Sequence, residues 1–177
     1  MSALTSDGGP LTPMEDIADD IIEEVLNGPQ LAAMPFVMSE KNSLFEHSLD
    51  VCILGLLLGR AIDLPFVKAK QLATGSLLHD IGMLFTPRNI TEEERIRVHT
   101  ELGFDMLRTS KNPDILSPHV AYEHHEHQDG TGLPRGLRGS NGIVRNRALP
   151  PPAPSLVGEI AAIANAYDRM VRGGPGR

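Results

Sequence analysis

Residues 124–134 read HHEHQDGTGLP, and this stretch combines adjacent imidazoles, two acids and a glycine-rich turn. Imidazole is a common ligand for divalent transition metals, and two histidines in a row rarely serve only to fill a core. A solvated helix end would also tolerate these residue types. Taken alone, the stretch leaves a metal site and a solvated surface open, so the rest of the chain must decide between them.

Length and composition favour a single helical domain. The chain has 177 residues, with 41% hydrophobic residues, 4% aromatic residues and no tryptophan. A chain of this size can bury a core without disulfides. Its amino-acid composition indicates a core of aliphatic side chains, alanine and methionine. We expect an all-α bundle with one domain over 12–171, a Pro/Arg-rich loop at 135–155 within it, and flexible ends at 1–11 and 172–177.

Charge and hydropathy exclude several classes of partner. The formal net charge is −7, which disfavours binding to a nucleic-acid polymer. The apolar run at 51–58 is much shorter than a membrane-spanning helix, and the first residues lack the pattern of a signal peptide. The single cysteine, Cys52, lies in that apolar run and indicates a reducing compartment. We therefore expect a cytoplasmic protein without membrane contact.

Apolar spacing and capping signals predict six helices. The predicted ranges are 12–27, 43–62, 65–82 with the sequence HDIG at its end, a fourth helix from Thr91 through Leu107, 113–127 and 156–171. The buried stripe of the first helix is predicted as Met14, Ile17, Ile21 and Val25. The stripe of the last is predicted as Ile160, Ile163, Ala164, Tyr167 and Val171.

Five histidines and one aspartate fall on or at the ends of four of these helices: His47, His79, Asp80, His99, His124 and His125. A helical bundle can bring such positions together in its core. Adjacent His and Asp at a helix end offer a nitrogen ligand and a carboxylate able to bridge two cations. These residues suffice for a two-metal site, and imidazole favours iron, zinc, nickel or manganese over calcium.

The order H…HD…H…HH, followed by an acidic glycine turn, resembles the HD-GYP family of HD-superfamily phosphohydrolases. HDIG at 79–82 resembles the family's HDIGK, and the stretch 124–134 resembles HHE-[RK]-x-DG-[ST]-GYP. The spacing His99-x-x-x-Gly103-x-x-x-Leu107 resembles the intervening helix. The resemblance runs from about His47 to Asp168. It implies an HD-domain-like helical bundle whose two-metal centre, often iron or manganese, hydrolyses cyclic di-GMP.

The resemblance also implies a ligand set. One metal would be held by His47, His79 and Asp80, and the other by Asp80, His99, His124 and His125. Asp80 would be the bridge, so Asp80 and His79 are the expected catalytic residues. Asn165 stands where the family has a further metal-binding aspartate and is a candidate ligand through its amide oxygen.

Candidate substrate contacts follow the histidine pair. We expect Asp129 and Gly130 of the acidic turn to contact the substrate, together with Arg135 and Arg138 just after it. Guanidinium groups suit phosphate because they can donate two parallel hydrogen bonds. For the arginines, a loop without contact to any ligand is the alternative.

The sequence also departs from the family pattern. Asn165 brings no charge, Leu133 replaces the tyrosine of GYP, Met83 replaces the lysine after HDIG, and His127 replaces an arginine or lysine. Ser43 occupies the position of a glutamate that binds a third metal in some members, so we expect only two metals. These changes remove cationic groups from the pocket and weaken the first metal site.

The function expected from the resemblance is hydrolysis of cyclic di-GMP or a related cyclic dinucleotide by a metal-activated hydroxide. The cofactors would be two divalent transition metals, iron or manganese first, with zinc or nickel as alternatives. A degenerate, non-catalytic domain that acts as a signalling or protein-interaction module is the competing hypothesis. An HD-type nucleotidase that cleaves a mononucleotide is a third. A homodimer or a signalling protein partner also stays open.

Overall fold

The computed structural model of the chain describes residues 12–27, 44–109, 117–139 and 153–172. Within these ranges it contains α1 (Thr12–Asn27), α2 (Leu44–Ala61), α3 (Phe66–Leu78), α4 (Glu92–Arg108), α5 (Ser117–Glu123) and α6 (Leu156–Val171). A short 3₁₀ helix, Ile81–Phe85, connects α3 to α4. The predicted all-α fold is confirmed. The predicted bounds of α1 and α6 agree with the structure, and those of α2 and α3 agree to within a few residues.

Local signals explain where two of the helices begin. The Thr91 side chain accepts a hydrogen bond from the Glu94 backbone N–H, while the Glu94 carboxylate accepts one from the Thr91 backbone N–H. This reciprocal capping box satisfies two donors that a helix start leaves unpaired. At α6, the Ser155 hydroxyl accepts from the Gly158 backbone N–H in the same way. Both helices therefore have fixed starting points.

The core lies on both sides of α3. On one side α1, α2 and α3 enclose an apolar cluster that includes Ile22, Cys52, Leu56 and Leu77. On the other side α3, α5 and α6 contribute a second cluster that includes Leu72, Val120 and Ile160. The helix α4 packs on α5 and on the 3₁₀ helix. Burial of this kind, rather than helix propensity, holds such bundles together.

The predicted stripe of α1 is wrong at Ile17, whereas Ile21 is half-buried and packs against the core. Ile17 is exposed, whereas Ala18 and Ile22 are fully buried beside Val25. The prediction relied on large apolar residues at helical spacing, but the small Ala18 is also part of the core cluster. Met14 lies outside the residues whose side chains the structure describes.

The predicted stripe of α6 is also partly wrong. Ile163, Tyr167 and Val171 are exposed, while Asn165 and Asp168 are buried. The helix turns two polar side chains inward because each has a polar partner there: the carbonyl of His124 for Asn165, and the ring of His47 for Asp168. An apolar period alone could not predict a buried polar face.

The helix α5 is shorter than predicted, because it ends at Glu123 rather than near 127. The chain then turns, so His124 and His125 lie in a turn at the helix end. The predicted start of this helix at 113, the end at 1–11, most of the end at 172–177 and most of the Pro/Arg-rich loop lie outside the described residues. In the described ranges, no helix has the length and hydropathy needed to cross a membrane.

Candidate metal centre

Five histidines and one aspartate from four helices meet in the interior of the bundle. His47 lies near the start of α2, His79 and Asp80 follow α3, His99 lies in α4, and His124 and His125 follow α5. Their potential ligand atoms form two groups, each within 4.8 Å. We call His47, His79 and Asp80 the first cluster, and His99, His124 and His125 the second cluster.

Asp80 lies between the two clusters. Its Oδ2 atom is 3.5 Å from Nε2 of His79 and 3.8 Å from Nε2 of His47. Its Oδ1 atom is 3.3 Å from Nε2 of His99 and 3.4 Å from Nε2 of His124. One oxygen of the carboxylate thus faces each cluster, which is the arrangement that a bridging ligand requires.

The other ring nitrogen of each of these four histidines is held by an acceptor. Nδ1 of His79 lies 2.7 Å from the Ser76 carbonyl oxygen. The corresponding acceptors are the Arg95 carbonyl for His99, at 2.7 Å, and the Ala121 carbonyl for His124, at 2.9 Å. For His47 the acceptor is a carboxylate oxygen of Asp168, at 2.6 Å. An acceptor at Nδ1 places the proton there and leaves Nε2 with its lone pair.

With the proton on Nδ1, each Nε2 atom is an acceptor, and the positions of the Nε2 atoms show whether a cation fits between them. Nε2 of His47 lies 3.2 Å from Nε2 of His79, and Nε2 of His99 lies 3.2 Å from Nε2 of His124. Two lone pairs cannot form a hydrogen bond, and the Asp80 carboxylate adds further acceptors between them. Converging acceptors without a donor are what a divalent cation satisfies. The donor set therefore fits metal ions.

Burial keeps His79, His99 and His125 neutral, whereas the neighbouring histidines keep the Asp80 carboxylate charged. It lowers the pKa of His79 to about 3 and that of His99 to about 4, and for His99 the neighbouring His124 adds to the effect. Burial likewise holds the pKa of His125 far below its usual range. Burial alone would raise the pKa of Asp80, but His79, His124 and His99 together lower it well below its ordinary value. Neutral imidazole and ionised carboxylate are the ligand forms.

Asn165 lies beside the second cluster. Its side-chain amide donates a hydrogen bond to the His124 carbonyl at 3.2 Å. Its Oδ1 atom is buried and has no hydrogen-bond partner in the part of the chain that the structure describes. A buried acceptor without a partner is costly, so it indicates a donor or cation absent from the protein alone. This orphaned oxygen is a second observation that fits a metal.

Sequence reasoning missed the residues that hold His47. Asp168 contacts His47 through Oδ2 and accepts a hydrogen bond from Nε of Arg172 through Oδ1, at 2.9 Å. Arg172 in turn pairs with Asp50 of α2. The chain Asp50–Arg172–Asp168–His47 therefore connects the end of α6 to the start of α2. The available signal was that the resemblance to the family extends as far as Asp168.

Gly82 sets the distance between Asp80 and α4. A Cβ atom at this position would lie 2.1 Å from the His99 carbonyl oxygen and 2.8 Å from the Gly103 backbone nitrogen. Both neighbours are backbone atoms of a helix, so neither can move away cheaply. The glycine of HDIG therefore allows the 3₁₀ helix to lie directly on α4, and this brings Asp80 within reach of His99.

The predicted substrate contacts lie in the turn beyond the histidine pair. Asp129 accepts hydrogen bonds from the backbone N–H and hydroxyl of Thr131, and it forms an isolated antiparallel bridge with Arg138. Gly130 has φ of 82°, a conformation that favours glycine. The structure brings these residues together with Arg138 in one turn. It does not bring them into contact with either cluster by any described hydrogen bond or ion pair.

Arg135 serves a different network. Its guanidinium lies over the Tyr122 ring at 4.8 Å and contacts the buried Glu123 carboxylate at 2.9 Å. Glu123 also accepts from the backbone N–H and hydroxyl of Ser155. A buried carboxylate needs such partners. In this arrangement Glu123 connects the end of α5 to the start of α6, and Arg135 pairs with its carboxylate.

Comparison with known protein families identifies the class of this bundle. A family model described as the HD domain matches residues 44–170, so the chain belongs to the HD domain family. Within that family it is a member of the HD-GYP type.

The curated relatives are bacterial phosphodiesterases. The chain is 29% identical over 170 residues to a cyclic di-GMP phosphodiesterase of Pseudomonas aeruginosa, covering 90% of this chain and 38% of that protein. It is 36% identical over 104 residues to a cyclic di-GMP phosphodiesterase of Thermotoga maritima, covering 53% and 25% respectively. It is 28% identical over 165 residues to 3'3'-cGAMP-specific phosphodiesterase 1 of Vibrio cholerae, covering 88% and 35%. The chain thus spans well under half the length of these relatives.

Proposed function

We propose that this chain is a metal-dependent phosphodiesterase that hydrolyses cyclic di-GMP or a related cyclic dinucleotide. The observation that carries the proposal is the convergence on Asp80, whose two carboxylate oxygens face the Nε2 atoms of four histidines. The relatives named as cyclic di-GMP and 3'3'-cGAMP phosphodiesterases support the substrate class.

The residues of the two clusters would hold two divalent metals. His47, His79 and Asp80 would hold one, and Asp80, His99, His124 and His125 the other, with the unpaired Oδ1 atom of Asn165 as a further neutral donor. Imidazole-rich coordination is compatible with iron, zinc or nickel. The resemblance to the HD-GYP type favours iron or manganese, with zinc or nickel as the alternatives. When bound, two such cations lower the pKa of water and stabilise the negative charge that develops on a phosphodiester.

The chain's own residues prepare this chemistry. Acceptors at Nδ1 fix the ring orientation of four histidines. Burial lowers the pKa of His79 and His99 and so keeps these two neutral. Asp80 would contact both metals and so act as the central catalytic residue, with His79 beside it. In the reaction a water oxygen bonds to phosphorus, one P–O ester bond breaks and the leaving oxygen takes a proton. The product is a linear dinucleotide.

The competing hypothesis is a degenerate HD-GYP-type module without catalysis. Asn165 supports this hypothesis, because an amide brings no charge to the metal centre. Met83 also supports it, because it stands where the family has a lysine and so removes a positive charge. Under this hypothesis the bundle would bind one metal or none and would act through a protein partner.

One experiment separates these two functions. Protein purified anaerobically, without chelator or a histidine tag, should contain iron or manganese at close to two ions per chain, and it should convert cyclic di-GMP to its linear product. His99→Ala should abolish both properties. His119→Gln is the matched control, because His119 belongs to neither cluster and does not line the described cavity beside Asp80. A metal-loaded wild type that leaves cyclic di-GMP and 3'3'-cGAMP intact would contradict the proposal.

A further inference from the structure

Two arginines that sequence reasoning did not single out line the mouth of the metal centre. A small cavity of about 150 Å³ contains Asp80, His99 and His125 in its wall, and Arg95 of α4 and Arg169 of α6 also line it. Met83, the residue that stands in place of the family's lysine, lines the same cavity. The cavity therefore joins the candidate metal ligands to two cationic side chains.

Both guanidinium groups contact the same carboxylate. Arg95 pairs with one oxygen of Glu92, and Nη2 of Arg169 lies 3.6 Å from the other. Glu92 therefore balances only one of the two guanidinium charges, and the other carboxylate of the cavity, Asp80, is a candidate metal ligand. All three side chains are between 37% and 47% exposed, so water screens these pairs and they contribute little to stability. A stronger anion can therefore displace Glu92 at low cost.

The geometry also places these arginines close to the clusters. Arg95 lies one helical turn before His99, and its carbonyl accepts the hydrogen bond from Nδ1 of His99. Arg169 follows Asp168 directly on α6. Its side chain lines the same cavity as His99 and His125. A group held by both arginines would lie beside the second cluster.

We propose that Arg95 and Arg169 form a phosphate-binding subsite at the mouth of the centre, with Glu92 holding the two guanidinium groups until a phosphate group replaces it. This subsite rests on the proposed function and supplies the charge that Met83 lacks. Guanidinium binds phosphate oxygens through paired hydrogen bonds, more strongly than it binds an exposed carboxylate. Pockets for whole organic ligands measure ~300–1,000 Å³, so this cavity accepts a phosphate group while the rest of a dinucleotide lies outside it.

The test uses the full chain, metal-loaded and metal-free, titrated calorimetrically with inorganic phosphate and with cyclic di-GMP. Arg95→Ala and Arg169→Ala should each weaken phosphate binding by roughly tenfold or more, the usual effect of removing one charged hydrogen-bonding group. Arg169→Lys should restore part of the affinity. Glu92→Gln should tighten binding several-fold, because it removes the competing carboxylate. Arg108→Ala is the control, since Arg108 lies on α4, is exposed, and has its described contacts with the nearby residues Asp105 and Phe104.

Metal content and melting temperature of each variant should match wild type, which would show that the clusters are intact. In turnover assays the two alanine variants should raise KM more than they lower kcat. Phosphate binding that depends on these arginines in a protein without turnover would support the subsite and contradict the proposed function. Unchanged phosphate affinity in both alanine variants, or no phosphate binding by metal-loaded wild type, would overturn the subsite.

Discussion

Nδ1 of His47 lies 2.6 Å from Oδ2 of Asp168, although 121 positions separate the two residues in the chain. Among the four histidines around Asp80, His47 has a side-chain acceptor where the other three have backbone carbonyls. A carboxylate partner fixes the ring and raises its basicity as a ligand. The orientation of His47 therefore depends on Asp168, and through Asp168 on Arg172.

Replacing Asp168 tests this dependence. Asp168→Asn should lower metal affinity at the first cluster by about 10–100-fold, the usual cost of losing such a partner, while the second cluster keeps its metal. Titration of metal-free protein with Mn²⁺ should then show one tight site instead of two. Nitrogen NMR of the metal-free protein should report a change in the His47 tautomer. Asp105→Asn, which alters an exposed aspartate on α4, is the control. Two unchanged sites would contradict the role of Asp168.

Replacing Asn165 should separate metal affinity from stability. Asn165→Asp adds a charged ligand, so we expect metal affinity at the centre to rise by roughly tenfold, about 1.4 kcal/mol. The same change removes the hydrogen bond to the His124 carbonyl and buries a carboxylate. The free energy of unfolding of the metal-free variant should therefore be about 1–3 kcal/mol lower than that of wild type. Calorimetric metal titration and urea unfolding measure the two effects. Lower metal affinity in this variant would show that Asn165 is not near a metal.

Metal-free protein should lose stability as the pH falls below about 6.5. Histidines of the unfolded chain take up a proton near that pH, whereas in the folded state the pKa is about 3 for His79 and about 4 for His99. The unfolded state therefore binds more protons between about pH 6.5 and pH 4, and stability decreases with falling pH in that window. Each of these two histidines contributes a slope of ~1.4 kcal/mol per pH unit once the unfolded state is fully protonated.

Urea unfolding of chelator-treated protein at pH 7 and pH 5 measures this slope. His99→Gln should remove the contribution of one histidine from this slope, because the glutamine side chain does not titrate. A free energy of unfolding that is the same at both pH values would contradict the burial of neutral imidazoles in the centre.

Adding one methyl group at Gly82 should disrupt both fold and site. Gly82→Ala places a Cβ atom 2.1 Å from the His99 carbonyl oxygen, so α4 or the 3₁₀ helix must shift. Such overpacking costs about 1–3 kcal/mol or more. It should also weaken metal binding, because Asp80 and His99 would move apart. In the control Gly55→Ala, the added atom meets Leu72 at an ordinary 3.6 Å, and helix propensity predicts unchanged or slightly higher stability. Thermal unfolding with metal analysis compares the two variants.

The sequence was sufficient to predict the helices and the grouping of the histidines. Helix starts such as Thr91 and Ser155 are local signals, and local signals can be read from neighbouring residues. The roles of Asp168 and Arg169 could not be derived in this way, because they depend on how α6 packs against α2 and α4. Parts of the buried stripes of α1 and α6 were mispredicted for the same reason, because the spacing of apolar residues does not show which face of a helix meets a neighbouring helix.

The backbone carbonyls that hold His79, His99 and His124 make one part of the centre resistant to mutation. No substitution can delete the backbone carbonyl of Ser76, Arg95 or Ala121. The three imidazole rings therefore keep their orientation as long as α3, α4 and α5 form. His47 depends instead on two side chains, each of which a single nucleotide change can remove. As substitutions accumulate in such a chain, the first cluster would lose its metal before the second. The change from a two-metal enzyme to a one-metal binding domain would then begin with substitutions at the end of α6.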